Sequence, residues 1–260
     1  MHYIAVCILS LLTCCLTFPL PQEAGNVNEQ QWEKAQEYLK KFYSYKPEER
    51  INNLQNKIKQ MQKFFGLTPT GILNANTMEI IQKPRCGVPD VEEFSLIPGK
   101  PKWPSKVVTY RIVSYTQDLP KSTVDYLVDE ALTMWSKASS LVFKKVRKGH
   151  ADIMIGFARG AHGDFNPFDG PGGILAHAFA PGKDLGGDAH FDNDEQWSDG
   201  SKIGINFLFA ATHELGHSLG LGHSSDPEAV MYPTYTHKNR KDFGLSKDDI
   251  KGIQNLYKKR

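Results

Sequence analysis

His213, Glu214 and His217 stand in the order H-E-x-x-H, and Ser218-Leu219-Gly220-Leu221-Gly222-His223 completes the run. On a helix, residues four apart share a face, so His213 and His217 can each point an imidazole at one cation. Glu214 lies beside them, within reach of a water on that cation. Gly220 lets the chain leave the helix and turn back, which brings His223 in as a third ligand. Three protein ligands leave a fourth position open, as catalytic zinc requires. The bare five-residue pattern is short enough to recur by accident; the added glycine and third histidine make it specific. Met231, in Ala229-Val230-Met231-Tyr232-Pro233, is ordinary core packing when taken alone. With the histidine pattern it fits a methionine turn beneath the metal.

A second set of polar residues has two readings. His162, Asp164, His177 and His190 can form a closed tetrahedral metal site, or they are ordinary polar residues. Asp169-Gly170-Pro171-Gly172-Gly173-Ile174 offers a carboxylate and turned carbonyls, with Asp192 and Glu195 further on. Hard oxygen ligands on a flexible loop suit calcium; the bland alternative is a solvated turn.

The four cysteines are Cys7, Cys14, Cys15 and Cys86. Residues 4–16 are nearly all apolar, too short to span a bilayer and the right length for the core of a secretory signal, with the cut placed after Thr17. The first three cysteines leave with that signal. Cys86 is then a lone thiol in an oxidising compartment, which must be protected, paired between chains or used. No later stretch reads as membrane-spanning. The formal net charge is +2, from 31 basic and 29 acidic residues, so nucleic acid is not expected as a partner. Short basic runs at Lys144, Lys145, Arg147, Lys148, at Lys238, Arg240, Lys241 and at Lys258, Lys259, Arg260 are either solvated faces or patches for sulfated glycosaminoglycans.

The elements that must position these residues fall into two blocks. Trp32, Ala35, Leu39 and Phe42 recur at helical spacing, as do Ile51, Leu54, Ile58, Met61 and Phe65, with Pro47 between. A third short helix spans 75–82, so the first block is a three-helix unit. Residues 84–104 are proline-rich and read as an extended, exposed linker. Strands are expected at 107–113, 141–146, 153–157, 175–179 and 189–192. Helices are expected from a Ser122 cap, over 205–219, and from a Ser246 cap to Tyr257. The second block is therefore α+β: one twisted mixed sheet with three helices.

Together these residues resemble the metzincins, and within them the matrix metalloproteinases. Pro84-Arg85-Cys86-Gly87-Val88-Pro89-Asp90 has the form of that family's cysteine-switch segment, and the resemblance runs from signal to final helix. The chain resembles the family's minimal plan, in which no propeller domain follows. The resemblance implies a signal at 1–17, a propeptide at 18–93 with the switch segment at 84–90, and a catalytic domain at 94–260 beginning at Phe94. It implies that Cys86 fills the fourth zinc position in the latent form, with Arg85 and Asp90 holding the segment in the cleft. It also implies a structural zinc at His162, Asp164, His177 and His190, so two zinc ions in all. Two or more calcium ions are implied. One lies at Asp169, Gly170, Gly172, Ile174, Asp192 and Glu195, and a second at Asp152, Asp184, Gly186 and Asp188. A third family site would use Asp118 and an acidic residue where this chain has the neutral Asn193.

The implied activity is that of a secreted monomeric zinc endopeptidase. It would cut extracellular matrix and pericellular proteins, collagen degradation included, and would be held in check by protein inhibitors of metalloproteinases. Glu214 would act as general base, with no covalent nucleophile. Substrate would pair with the strand at 175–179. Phe209, one turn before His213, would partly fill the pocket for the residue after the scissile bond. The competing readings are a secreted metal-binding protein without catalysis, against which the intact Glu214 argues, and a zinc hydrolase of something other than peptides.

Overall fold

A computed structural model describes residues 21–43, 54–90, 99, 101–201, 203–236 and 243–258. The expected signal, Pro47, Ile51, Phe94 and the basic residues at 238–241 and 259–260 lie outside the described residues.

The first helix, α1 (Glu29–Phe42), starts where the Asn28 side chain accepts from the Gln31 amide and Gln31 answers to the Asn28 amide. This reciprocal cap satisfies two amides that a helix end leaves open. With α2 (Leu54–Phe64) and α3 (Ala75–Ile81) it buries Trp32, Ala35, Leu39, Ile58, Met61 and Met78 in one core. Gln62 is fully buried inside it, yet its amide is matched by Thr70, Gly71, Ile72 and Thr77, so the loop from α2 to α3 is pinned. The same core continues through Phe168 and Ile174 of the second block.

Next come β1 (Arg85–Cys86), β2 (Val107–Ile112), α4 (Lys121–Ala138), β3 (Val142–Lys145), β4 (Ile153–Ala158), β5 (Ile174–Ala178), β6 (Ala189–Asp192), β7 (Trp197–Ser198), β8 (Ile205–Asn206), α5 (Phe207–Ser218) and α6 (Lys247–Leu256). Six strands form one sheet in the order β1-β5-β6-β4-β2-β3. Its pairs are parallel except β5 with β6, and β7 pairs with β8 in a separate two-stranded ladder. The α+β expectation holds, with α4, α5 and α6 as the three helices of this block.

Helix α5 is buried along its whole length. It packs on α4, where the Trp135 indole donates to the Thr212 carbonyl at 2.9 Å, and against β5. Two glycines make this placement possible. A Cβ on Gly216 would lie 2.3 Å from Met231 Sδ, so only glycine lets the turn at Met231 pack directly under the helix. Gly220 has φ +97 and its missing Cβ would meet the Pro101 carbonyl at 2.1 Å, so the chain reverses there without a side chain.

Three expectations change. The segment at 84–90 is not an exposed linker: Arg85, Cys86 and Asp90 are buried, and β1 adds a strand to the sheet. Helix α4 begins at Lys121 behind Pro120, whose carbonyl accepts from Thr123 and Val124, so Ser122 is inside the helix rather than its cap. Helix α5 begins at Phe207, because Ile205 and Asn206 are extended and the Asn206 side chain caps the helix by accepting from Leu208.

Candidate metal centre and cleft

The Nε2 atom of His217 lies 3.2 Å from that of His213 and 3.2 Å from that of His223. Each ring gives its Nδ1–H elsewhere: His213 to the Val230 carbonyl at 2.7 Å, His217 to the Leu221 carbonyl at 2.8 Å, and His223 to an Asp90 carboxylate oxygen at 2.9 Å. Burial, with His223 adding, holds the His213 ring down to about 3, and burial also lowers His217 and His223. Neutral rings that donate through Nδ1 carry lone pairs on Nε2, so three acceptors converge on one point. Only a cation reconciles that. With metal–nitrogen bonds of about 2.0–2.1 Å, two ligands of a tetrahedral zinc lie roughly 3.3 Å apart. The three histidines therefore fit zinc.

Cys86 closes the fourth side. Its sulfur lies 3.5 Å from His217 Nε2 and 3.5 Å from Glu214 Oε2, and all four ligand atoms fall within 4.8 Å of one another. Burial pushes the thiol up and Glu214 adds to it; a divalent cation at this point favours the thiolate instead. Residues 84–87 lie between two walls. Arg85 donates to the Gly173 carbonyl and Gly87 to the Ala176 carbonyl, each at 2.8 Å, along β5. On the other side Cys86 donates to Pro233 at 3.0 Å, and Tyr235 donates to Pro84 at 2.8 Å. Beside Cys86 a depression is lined by Leu175, Phe209, His213, Glu214, Tyr232 and Tyr235. The Phe209 ring meets Tyr235 edge-on at 5.4 Å and Phe243 at 5.3 Å, so it lines the depression and is braced from behind.

The second cluster is also assembled. One Asp164 oxygen lies 2.8 Å from His162 Nε2, 2.6 Å from His177 Nε2 and 2.6 Å from His190 Nδ1. His162 gives its Nδ1–H to the Gly160 carbonyl at 2.7 Å, which leaves Nε2 aimed at the carboxylate oxygen that His177 and His190 also face. Three imidazole nitrogens and a carboxylate converging on one point fit a cation. Burial would raise the Asp164 carboxyl, but the Asn166 amide, His177 and His190 hold it well below the usual carboxylate range.

The profile of the family described as Matrixin matches residues 102–258. The chain belongs to the matrixins. It is a zinc metalloendopeptidase of the matrix metalloproteinase group, and membership implies zinc. A profile described as a putative peptidoglycan binding domain matches residues 28–81, the helical block. Matrilysin from Homo sapiens is 67% identical over 261 residues, spanning 100% of this chain and 98% of its own length. Matrilysin from Rattus norvegicus is 63% identical, spanning 97% of the chain and 95% of its own length. Stromelysin-1 from Mus musculus is 49% identical over 94% of the chain, which corresponds to 52% of that longer protein.

Elsewhere in this matrixin the oxygen-rich loops differ in how well they gather. The Asp169 carboxylate folds back on the Ile174 amide at 3.0 Å, and Glu195 accepts from the Gly172 amide at 2.7 Å. Asp192 keeps one buried carboxylate oxygen without a partner. Burial, then Asp192 and Asp169, push Glu195 up to about 7, and burial also raises Asp192. Carboxylates that crowd and repel in this way fit a hard dication. At the second loop, Asp152 gives a carboxylate oxygen to the Thr109 amide and hydroxyl, and Asp188 gives one to the Met154 amide. Those side chains brace the sheet, while Asp184 has φ +55 and Gly186 donates to the Lys183 carbonyl in the adjoining turn. Asp118 accepts from the Trp197 amide, and Asn193 has a buried amide oxygen without a partner.

One partnership was invisible in the chain order, and a second was given only in outline by the resemblance, which named Arg85 and Asp90. Asp249 of α6 accepts from the Val230 and Met231 amides and from Ser246, so one carboxylate caps α6 and fixes the turn under the metal. The Arg85 guanidinium lies 3.6 Å from the Phe42 ring centroid, contacts the Tyr38 hydroxyl, and pairs with Asp90 at 2.5 Å. Burial would raise Asp90, but Arg85 and His223 hold it at about 2. The helix-forming pattern at 29–42 marks α1, but nothing in it points to Arg85.

Proposed function

We propose that this chain is the latent precursor of a secreted endopeptidase acting on extracellular matrix and pericellular proteins, with signal, propeptide and catalytic domain at 1–17, 18–93 and 94–260. The observation that carries the reading is residues 84–87, a stretch of the chain's own peptide held as a strand in the cleft with Cys86 sulfur against Glu214 and His217. A groove that binds extended backbone from both sides suits a peptide substrate, recognised by strand pairing along β5.

His213, His217 and His223 would hold the catalytic zinc, and His162, Asp164, His177 and His190 a structural one. The loop Asp169–Ile174 with Asp192 and Glu195 would hold calcium, as would a second set at Asp152, Asp184, Gly186 and Asp188. When bound, the catalytic zinc polarises the scissile carbonyl and acidifies the attacking water. Glu214 supplies the proton movements. Burial in the closed cleft pushes its carboxyl up; a dication beside it and solvent in the opened cleft favour the carboxylate, the form a general base needs. It takes a proton from the water and passes it to the leaving amine. In the latent form Cys86 occupies the place that this water needs. Phe209, braced by Tyr235 and Phe243, limits the depth of the pocket after the scissile bond. Among the described residues no helix is long and apolar enough to cross a membrane. Partners in this reading are protein substrates and metalloproteinase inhibitors, the basic runs are either solvated faces or patches for sulfated glycosaminoglycans, and the enzyme is a monomer.

Treatment of the purified precursor with an organomercurial tests this. Peptide hydrolysis should appear together with a new N-terminus near Phe94, and Cys86→Ser should show the same without the reagent. An intact, inactive chain after full modification of Cys86 would overturn the reading.

A further inference from the structure

Three rings face the catalytic metal position, and they are not supported alike. His213 and His217 donate Nδ1–H to main-chain carbonyls of Val230 and Leu221, within the matrixin domain. His223 donates instead to Asp90, a residue of the segment that would be cut away, 133 positions earlier in the chain. Both side chains are fully buried. The Asp90 carboxylate cannot turn away, because Arg85 grips one oxygen at 2.5 Å and the other at 3.0 Å, and the Asp90 amide donates to Phe42 at 3.1 Å. An ionised acceptor behind a ligating imidazole fixes its tautomer and orientation and makes the metal-facing nitrogen a better donor than a carbonyl acceptor does.

We propose that Asp90 is a positioning residue for His223, so that the pro-segment strengthens zinc retention twice, through Cys86 in front and from behind the His223 ring. The inference rests on the reading of 84–90 as a removable latency segment. The precursor is then the form that takes up and keeps zinc most firmly. Activation removes a ligand and, in the same cut, the carboxylate that orients another.

The test uses full-length precursor carrying Glu214→Gln, which prevents self-cleavage. Zinc affinity is read by competition with a chromophoric chelator, and the imidazole N–H protons by NMR. In this parent the His223 Nδ1 proton should resonate further downfield than those of His213 and His217, because its acceptor is ionised. Asp90→Asn should move that resonance upfield and leave the other two in place, and it should weaken zinc binding about 10- to 100-fold. The loss should persist, at about tenfold, when Cys86→Ser/Asp90→Asn is compared with Cys86→Ser. Equal affinities in that second comparison would mean that Asp90 acts only by docking Cys86, and would overturn the proposal. So would a parent spectrum in which His223 is no further downfield than its neighbours, a measurement that needs no variant at Asp90. Failure of the latency reading shows separately, as a Cys86→Ser precursor with Glu214 intact that remains inactive.

Discussion

His162, Asp164, His177 and His190 all lie within one continuous stretch of chain, on a loop, on β5 and on β6, and their closure needs nothing from outside the matrixin domain. The cluster on α5 takes three histidines from its own helix and turn, and its fourth atom from Cys86, 131 residues before His217. Both clusters have the ligand count of a closed zinc site. A closed site built from permanent neighbours is structural, whereas one closed by a removable segment has an open position in waiting. The difference lies in chain connectivity rather than ligand chemistry, and a ligand set alone does not separate the two roles.

The sharpest way to separate them leaves both clusters intact. Glu214→Gln should keep zinc at both positions and lower peptide turnover by about 10²–10⁴-fold, or roughly 3–5 kcal/mol of barrier. Zinc content and hydrolysis of one quenched peptide check both halves; near-normal turnover would remove Glu214 from the chemistry. The complementary change is His177→Ala. It should cost about 4 kcal/mol of stability, the size of losing a metal site, and lower Tm by about 8–16 °C. His213→Ala in the activated enzyme should abolish hydrolysis with a smaller thermal shift. If the two variants melt alike, the division into a fold-holding and a working cluster fails.

Calcium should act on the first region and not the second. At a concentration 100 times its Kd it should stabilise the folded chain by about 2.7 kcal/mol. Melting curves across a wide calcium range decide this, and identical midpoints would make the Asp169–Ile174 loop a solvated turn. The smallest effect belongs to Phe209→Ala. It should broaden acceptance after the scissile bond toward longer side chains, changing discrimination by about 10- to 200-fold per methylene at most. A peptide library cut by both enzymes measures it; an unchanged profile would leave Phe209 with packing alone.

What could be read from the amino-acid order was whatever depends on near neighbours. The His213–His217 pair and the reversal at Gly220 follow from helical period and one glycine, and both stand in the structure. The alternating and β-branched runs marked the main strands for the same reason. Strand β1 has only two residues, between Pro84 and Gly87, so no period exists to detect, and its pairing with β5 is a tertiary event. Asp90 behind His223 and Asp249 beneath Met231 are long-range contacts, for which residue type alone carries no address. The start of α4 was misplaced because a serine can cap a helix, but Pro120 had already set the chain direction one step earlier.

The lodging of β1 against β5 has a consequence for solubility. β5 is otherwise the last strand on its side of the sheet, and an unpaired last strand is a template on which a foreign chain can add. Proteins usually blunt such margins with charge, proline or a covering loop, because self-association follows when they do not. Here the margin is sheathed by the chain itself, and if the sheath is cut as proposed, the groups bared are the same main-chain groups of Gly173 and Ala176 that held Arg85 and Gly87. On that reading the hazard that other sheets suppress permanently is in this one deferred, and its release would coincide with the moment a second polypeptide is wanted there.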